Sequence, residues 1–146
     1  MRLSVVTTAL AFAALALPAL AQSEEAVMEQ IETIHGESEA FGEAFGALQD
    51  SFLFDDPAAF ADLAFYPLPI RANGEEYEVL EPEDLVDNFE ALLTAETRES
   101  LASQDFDDLI VTGDGVGFAN GALWMTLVCI DEACDEAEWG IIAINN

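Results

Sequence analysis

The chain has no lysine, and its three arginines and single histidine stand against 30 aspartates and glutamates. A field of that sign repels phosphate backbones and anionic lipid headgroups, which excludes nucleic acid and membrane surfaces as partners. Soft metal ligands are equally scarce. Cys129, Cys134 and His35 are too few to build a four-coordinate zinc centre. No serine sits in a nucleophile-elbow pattern, so a hydrolase triad has no support. Long apolar runs are missing too: the stretch Ala9 to Leu17 is shorter than the ~20 residues that a spanning helix needs.

That short run has another use. Arg2, the apolar stretch and the small-residue exit Ala19-Leu20-Ala21 form the three parts of a secretory signal, which places cleavage after Ala21 and the protein in the periplasm or outside the cell. Removing 21 of 146 residues leaves 125, enough for one domain with one core. All 30 acids remain, opposed only by Arg71 and Arg98, so the formal charge becomes −28. Such self-repulsion is tolerable where salt shortens the screening length to about 8 Å. It also favours a cationic protein partner or divalent ions. In an oxidising compartment Cys129 and Cys134, with four residues between them, are expected to form a disulfide with the two cysteines opposite each other across a hairpin loop.

Apolar or small residues recur from Val27 through Ile31, Ile34, Ser38, Phe41, Phe45, Leu48 and Phe52 in steps of three and four, which predicts one long helix over Glu24 to Phe52. Asp56 and Pro57 begin a short helix as N-cap and first helical residue. Phe65 to Arg71 reads as an extended segment. Its two prolines, Pro67 and Pro69, cannot donate ladder hydrogen bonds, so it is expected at a sheet edge or a bulge. Asn73-Gly74 is a hairpin turn leading to a return strand at Glu76 to Leu80. Pro82 opens an acidic helix with Leu85, Phe89 and Leu92 on one face, and Thr94 caps another over Ala95 to Ser103. Four strands follow in an antiparallel meander: Leu109 to Val111, Val116 to Asn120, Ala122 to Cys129 and Glu138 to Ile144. Helices first and strands mostly last argue for an α+β fold.

The run Tyr66-Pro67-Leu68-Pro69-Ile70, then Asn73-Gly74, a capped helix, Gly115 to Gly121 leading into Leu123-Trp124, and the closing Ile142-Ala143-Ile144-Asn145 resemble secreted bacterial members of the NTF2-like superfamily. The resemblance covers most of residues 22 to 146. It implies a ketosteroid-isomerase-like cone, helices packed into a strongly bent sheet, with a pocket at the open end. The superfamily holds isomerases, dehydratases, cyclases and members without known chemistry, so the fold does not choose a function.

Several constellations bear on chemistry. Gly113-Asp114-Gly115-Val116-Gly117 is followed by a strand, not a helix, and is read as a turn and a bend in the sheet, not a phosphate loop. No cofactor is implied. His35 lies on the flank of the first helix, as a half-buried residue beside Glu32 or Glu39. Proton transfer requires a pocket carboxylate and a neutral oxyanion partner; Tyr66, Tyr77 and the acids supply the types without a spacing that assigns roles. Asp105, Asp107 and Asp108, and likewise Asp131, Glu132 and Asp135, lack the loop pattern of a calcium site. Tyr66, Phe118, Trp124 and Trp139 are candidates to line an apolar pocket, and each is equally a core residue. Arg71 either holds an anionic ligand group or bridges two surface acids.

The function expected from this reading is non-enzymatic: binding of a small apolar or amphipathic ligand or of a protein partner. The alternatives are a proton-transfer enzyme of the isomerase or dehydratase kind and an acidic inhibitor of a cationic protein. Assembly is also at issue. Ala122, Trp124, Thr126 and Val128 alternate with Leu123, Met125, Leu127 and Cys129, and Trp139, Ile141 and Ala143 with Ile142 and Ile144, so both faces of the last strands are apolar. An outer face of that kind needs a cover, either the same face of a second copy in a two-fold dimer or the segment Leu53 to Leu63.

Overall fold

The computed structural model describes residues 22–146, and the signal-peptide reading of residues 1–21 lies outside them. Six helices, α1 (Glu24–Ile34), α2 (Ser38–Leu53), α3 (Pro57–Asp62), α4 (Pro82–Asp87), α5 (Phe89–Leu92) and α6 (Ala95–Ala102), cover one face of a six-stranded sheet. The strands are β1 (Leu68–Ala72), β2 (Glu75–Val79), β3 (Ile110–Thr112), β4 (Gly115–Phe118), β5 (Leu123–Cys129) and β6 (Ala137–Asn145). Their order is β2-β1-β6-β5-β4-β3, mixed because β1 runs parallel to β6 while every other pair is antiparallel. The α+β class and the antiparallel meander are as the pattern of the sequence requires. No described helix is long and apolar enough to cross a membrane.

The predicted long helix is two. Gly36 and Glu37 both take left-handed backbone, with φ of 76° and 54°, and the chain turns between α1 and α2. The apolar stripe survives because both helices lie on the same core, burying Val27 and Ile31 from one and Phe41, Phe45 and Leu48 from the other. Three side-chain bonds hold the corner. His35 Nε2 donates to the Thr112 carbonyl at 2.7 Å, Trp139 Nε1 donates to the Glu37 carbonyl at 3.0 Å, and the Glu32 carboxylate accepts from the Ser38 amide at 2.9 Å. That last bond holds the Glu32 carboxyl below the usual range. The acidic helix from Pro82 is likewise divided, at Asn88, into α4 and α5. Local caps follow the sequence closely: Asp56 accepts from the Ala59 amide ahead of α3, and Thr94 from the Thr97 amide ahead of α6.

The proline-rich strand is not an edge. β1 sits between β2 and β6, and the ladder explains how. Leu63 and Phe65 bond to Ile141 of β6, while Ile70 and Arg71 pair with Ile144 and Asn145, so Pro67 and Pro69 fall between rungs where no donor is required. β6 accommodates this with a bulge: Met125 pairs with Ile141 but Trp124 with Ala143, leaving Ile142 over. The bulge also corrects the predicted facing of the last strand, since it puts Ile144 on the buried side with Trp139 and Ile141.

The Cys129–Cys134 disulfide is present, but the cysteines are not opposite each other. Cys129 pairs with Ala137 across the ladder, and Cys134 lies inside the loop at φ 57°. The loop has its own scaffold. Asp131 accepts from the Glu136 amide, a bond that holds its carboxyl below the usual range. A cross-link closing so short a loop constrains the unfolded chain by only about 2 kcal/mol. Reduced protein should therefore keep its far-ultraviolet circular dichroism while gaining two alkylatable thiols by mass. Alkylation of both cysteines without reductant would refute the bridge.

Candidate functional site

The space between helices and sheet, where a cone would open, is filled by rings. Phe41 lies 5.0 Å from Trp139, 6.1 Å from Phe118 and 6.2 Å from Phe45, and Phe45 in turn meets Phe106 at 4.7 Å and Phe118 at 5.4 Å. A second set, Phe52, Phe60 and Phe89, packs at centroid distances of 5.3 to 6.4 Å beneath α3 and α5. Phe41, Phe60 and Phe118 are wholly buried. Interiors packed in this way exclude ligands larger than the gaps between side chains.

The five candidate pocket residues are accordingly dispersed. Phe118 and Trp139 belong to the core. Trp124 lies on the opposite face of the sheet, its ring against Gly117 on the neighbouring strand and its Nε1 donating to the Gly121 carbonyl at 3.1 Å. Tyr66 donates its hydroxyl to the Ala61 carbonyl at 2.9 Å, and burial, with Asp62 and Glu83 nearby, pushes its pKa up to about 12. A phenol so disposed is a structural donor, already committed. Arg71 points to the outer face, paired with Glu76 directly across the β1–β2 ladder at 2.6 Å. It lines an open depression of about 440 Å³ with Pro69, Glu78 and Ala143.

The outer face is partly paved by the chain itself. Trp124 lies over Gly117, and Phe65 covers Gly140 so closely that a side chain there would overlap its ring. Aromatic rings laid over glycines of the adjacent strand supply apolar cover without another layer. Of the segment Leu53 to Leu63 only the end reaches this face, the Leu63 carbonyl lying beside Gly140, while Leu53 and Phe54 are 74% and 72% exposed.

Arg98, which the sequence presents only as the second positive charge of residues 22–146, occupies a different kind of place. It projects from α6 into a depression of about 460 Å³ bordered by Asp55, Pro57, Asp87, Phe89 and Glu90. Its Nε is buried and meets no acceptor on the protein, and among the described residues Arg98 forms no ion pair. A buried donor left unmade costs roughly 1–3 kcal/mol, so this is an expensive arrangement in a chain with 30 carboxylates to offer. A signal was legible. On a helix the acids that reach an arginine stand three or four residues away, and those positions hold Thr94, Ala95, Leu101 and Ala102. Beside it, Asp55 takes left-handed backbone at φ 52°, uncommon for a residue other than glycine.

Among the described residues no group of three or more His, Cys, Asp or Glu is arranged to hold a metal ion. Comparison with protein-family models, with curated proteins and with solved structures gives no match to this chain.

Proposed function

We propose that this chain is an exported, non-enzymatic domain of the NTF2-like kind that works by binding a protein partner. The element order supports the family reading: helices, a hairpin, further helices and a closing meander, with the helices on one face of a mixed six-stranded sheet. The filled interior carries the functional reading. With Phe41, Phe45, Phe118 and Trp139 occupying the space under the helices, recognition of anything large falls to the exterior.

On that exterior the corner after α2 stands out. Leu53 and Phe54 are adjacent, largely exposed and followed by Asp55 and Asp56. A complementary partner presents an apolar recess with a basic rim, drawn in by the protein's negative field and seated by the two side chains. The test uses a model ligand of that chemistry, an amphipathic helical peptide of lysine and leucine, in a fluorescence-anisotropy titration. Leu53→Ser/Phe54→Ser leaves every charge in place and should weaken binding by about tenfold, the value of a lost apolar anchor of ~1.4 kcal/mol. Equal affinity of parent and double variant would mean that charge alone attracts the peptide, and would end the proposal.

A further inference from the structure

Of the features combined in the depression around Arg98, the protein-binding reading uses only Asp55. One wall carries a guanidinium whose Nε is buried without an acceptor, and the rim carries Asp55, Asp87 and Glu90. Pro57 adds apolar surface to the lining. A simple anion is a poor fit, since three carboxylates border the depression and the surrounding field is strongly negative. A simple cation is repelled by the guanidinium and finds equally good acids elsewhere on the surface. A ligand that carries both charges suffers neither penalty. Its carboxylate takes the terminal Nη groups of the guanidinium in a charge-assisted hydrogen bond, the Nε itself being enclosed by protein, and its cationic group takes the rim.

We infer that this depression is a binding site for a small dipolar molecule of the amino-acid class, with Arg98 holding the carboxylate and the acids of the rim holding the ammonium. The inference stands apart from the protein-binding reading and does not depend on it. It also separates the two arginines. Arg71 has its charge matched by Glu76 at the surface, while Arg98 has a buried nitrogen for which the protein offers no acceptor.

That contrast provides the experiment. After residues 1–21, Arg71 and Arg98 are the only arginines, so the arginine Nε–Hε region of a nitrogen–proton correlation spectrum contains two signals, assigned with Arg71→Lys. Glycine, β-alanine, γ-aminobutyrate and ε-aminocaproate are titrated at fixed ionic strength, with acetate and methylammonium as half-ligands. At least one amino acid should move the Arg98 signal to saturation, about tenfold more tightly than either half-ligand, and leave Arg71 in place. Arg98→Lys, followed through the backbone amide signals of α6, keeps the charge but loses the planar fork and should weaken that ligand by about tenfold. Should that variant fail to fold, the exposed Glu90→Gln probes the opposite wall and should weaken the same ligand severalfold. The inference is overturned if no amino acid moves the Arg98 signal, if acetate alone binds as well, if Arg71 moves in parallel, or if affinity is unchanged in the folded variants.

Discussion

Phe41→Ala should cost about 3–5 kcal/mol, the range for removing a buried aromatic ring from a packed interior. Phe41 is wholly buried at the centre of the larger ring cluster, in contact range of Phe45, Phe118 and Trp139. Its neighbours come from α2, β4 and β6, so no single element can close over the space it leaves. Domains of this size are stable by roughly 5–15 kcal/mol, and such a loss is a large part of that. Urea unfolding measures it as a fall in the midpoint at unchanged slope. Phe54→Ala is the matched control, the same chemical change at a site 72% exposed, where the effect should stay within about 0.5 kcal/mol. Similar midpoints for the two variants would contradict the packed-interior account and reopen the question of an internal ligand.

Gly115→Ala should be the most damaging of the conservative glycine changes. Gly115 opens β4 at φ 149°, a conformation that residues with a side chain rarely adopt, and a Cβ there would run into the backbone carbonyl of Met125 on β5. The conformational cost alone is about 1–3 kcal/mol. The overlap adds to it, because a carbonyl committed to a strand cannot swing aside as a flexible side chain does. Two residues earlier, Gly113 has nothing within 4 Å of an added Cβ. Gly113→Ala is thus expected to be close to neutral. Thermal unfolding of the pair decides the matter, and equal melting temperatures would show that the β4–β5 approach is not as close as described.

Much of this architecture was readable from the chain because its signals are local. Asp56-Pro57, Asn73-Gly74 and Thr94 each fix a cap or a turn through chemistry within four residues, and each stands where expected. The errors share a cause of the opposite kind. Periodicity could not see the break at Gly36–Glu37, since two helices lying on one core continue the same stripe; His35-Gly36, a glycine just past the last turn, was the local cue. The interior placement of β1 depends on where rungs form to β6, some 75 residues away in sequence, and prolines are harmless wherever a rung is skipped. The apolar outer face likewise reflects pairings of Trp124 with Gly117 and Phe65 with Gly140 that only the register creates. At the candidate site the acids of the rim come from two separate stretches, Asp55 from one and Asp87 and Glu90 from the other. Arg98 was nonetheless identifiable, by the absence of an acid at any helical spacing from it.

The bond from His35 to the Thr112 carbonyl bears on something other than recognition. β3 and β2 are the two borders of the sheet, the places where strands of other molecules can add. At β3 the imidazole already occupies a backbone acceptor. At β2 any incoming strand must lie beside Glu75, Glu76 and Glu78, all exposed. One border thus has an acceptor already taken by a hydrogen bond and the other is lined by charge, so edge-to-edge growth of the sheet into fibrils meets an obstacle of a different nature at each side. A change of conditions that removes one of them leaves the other standing.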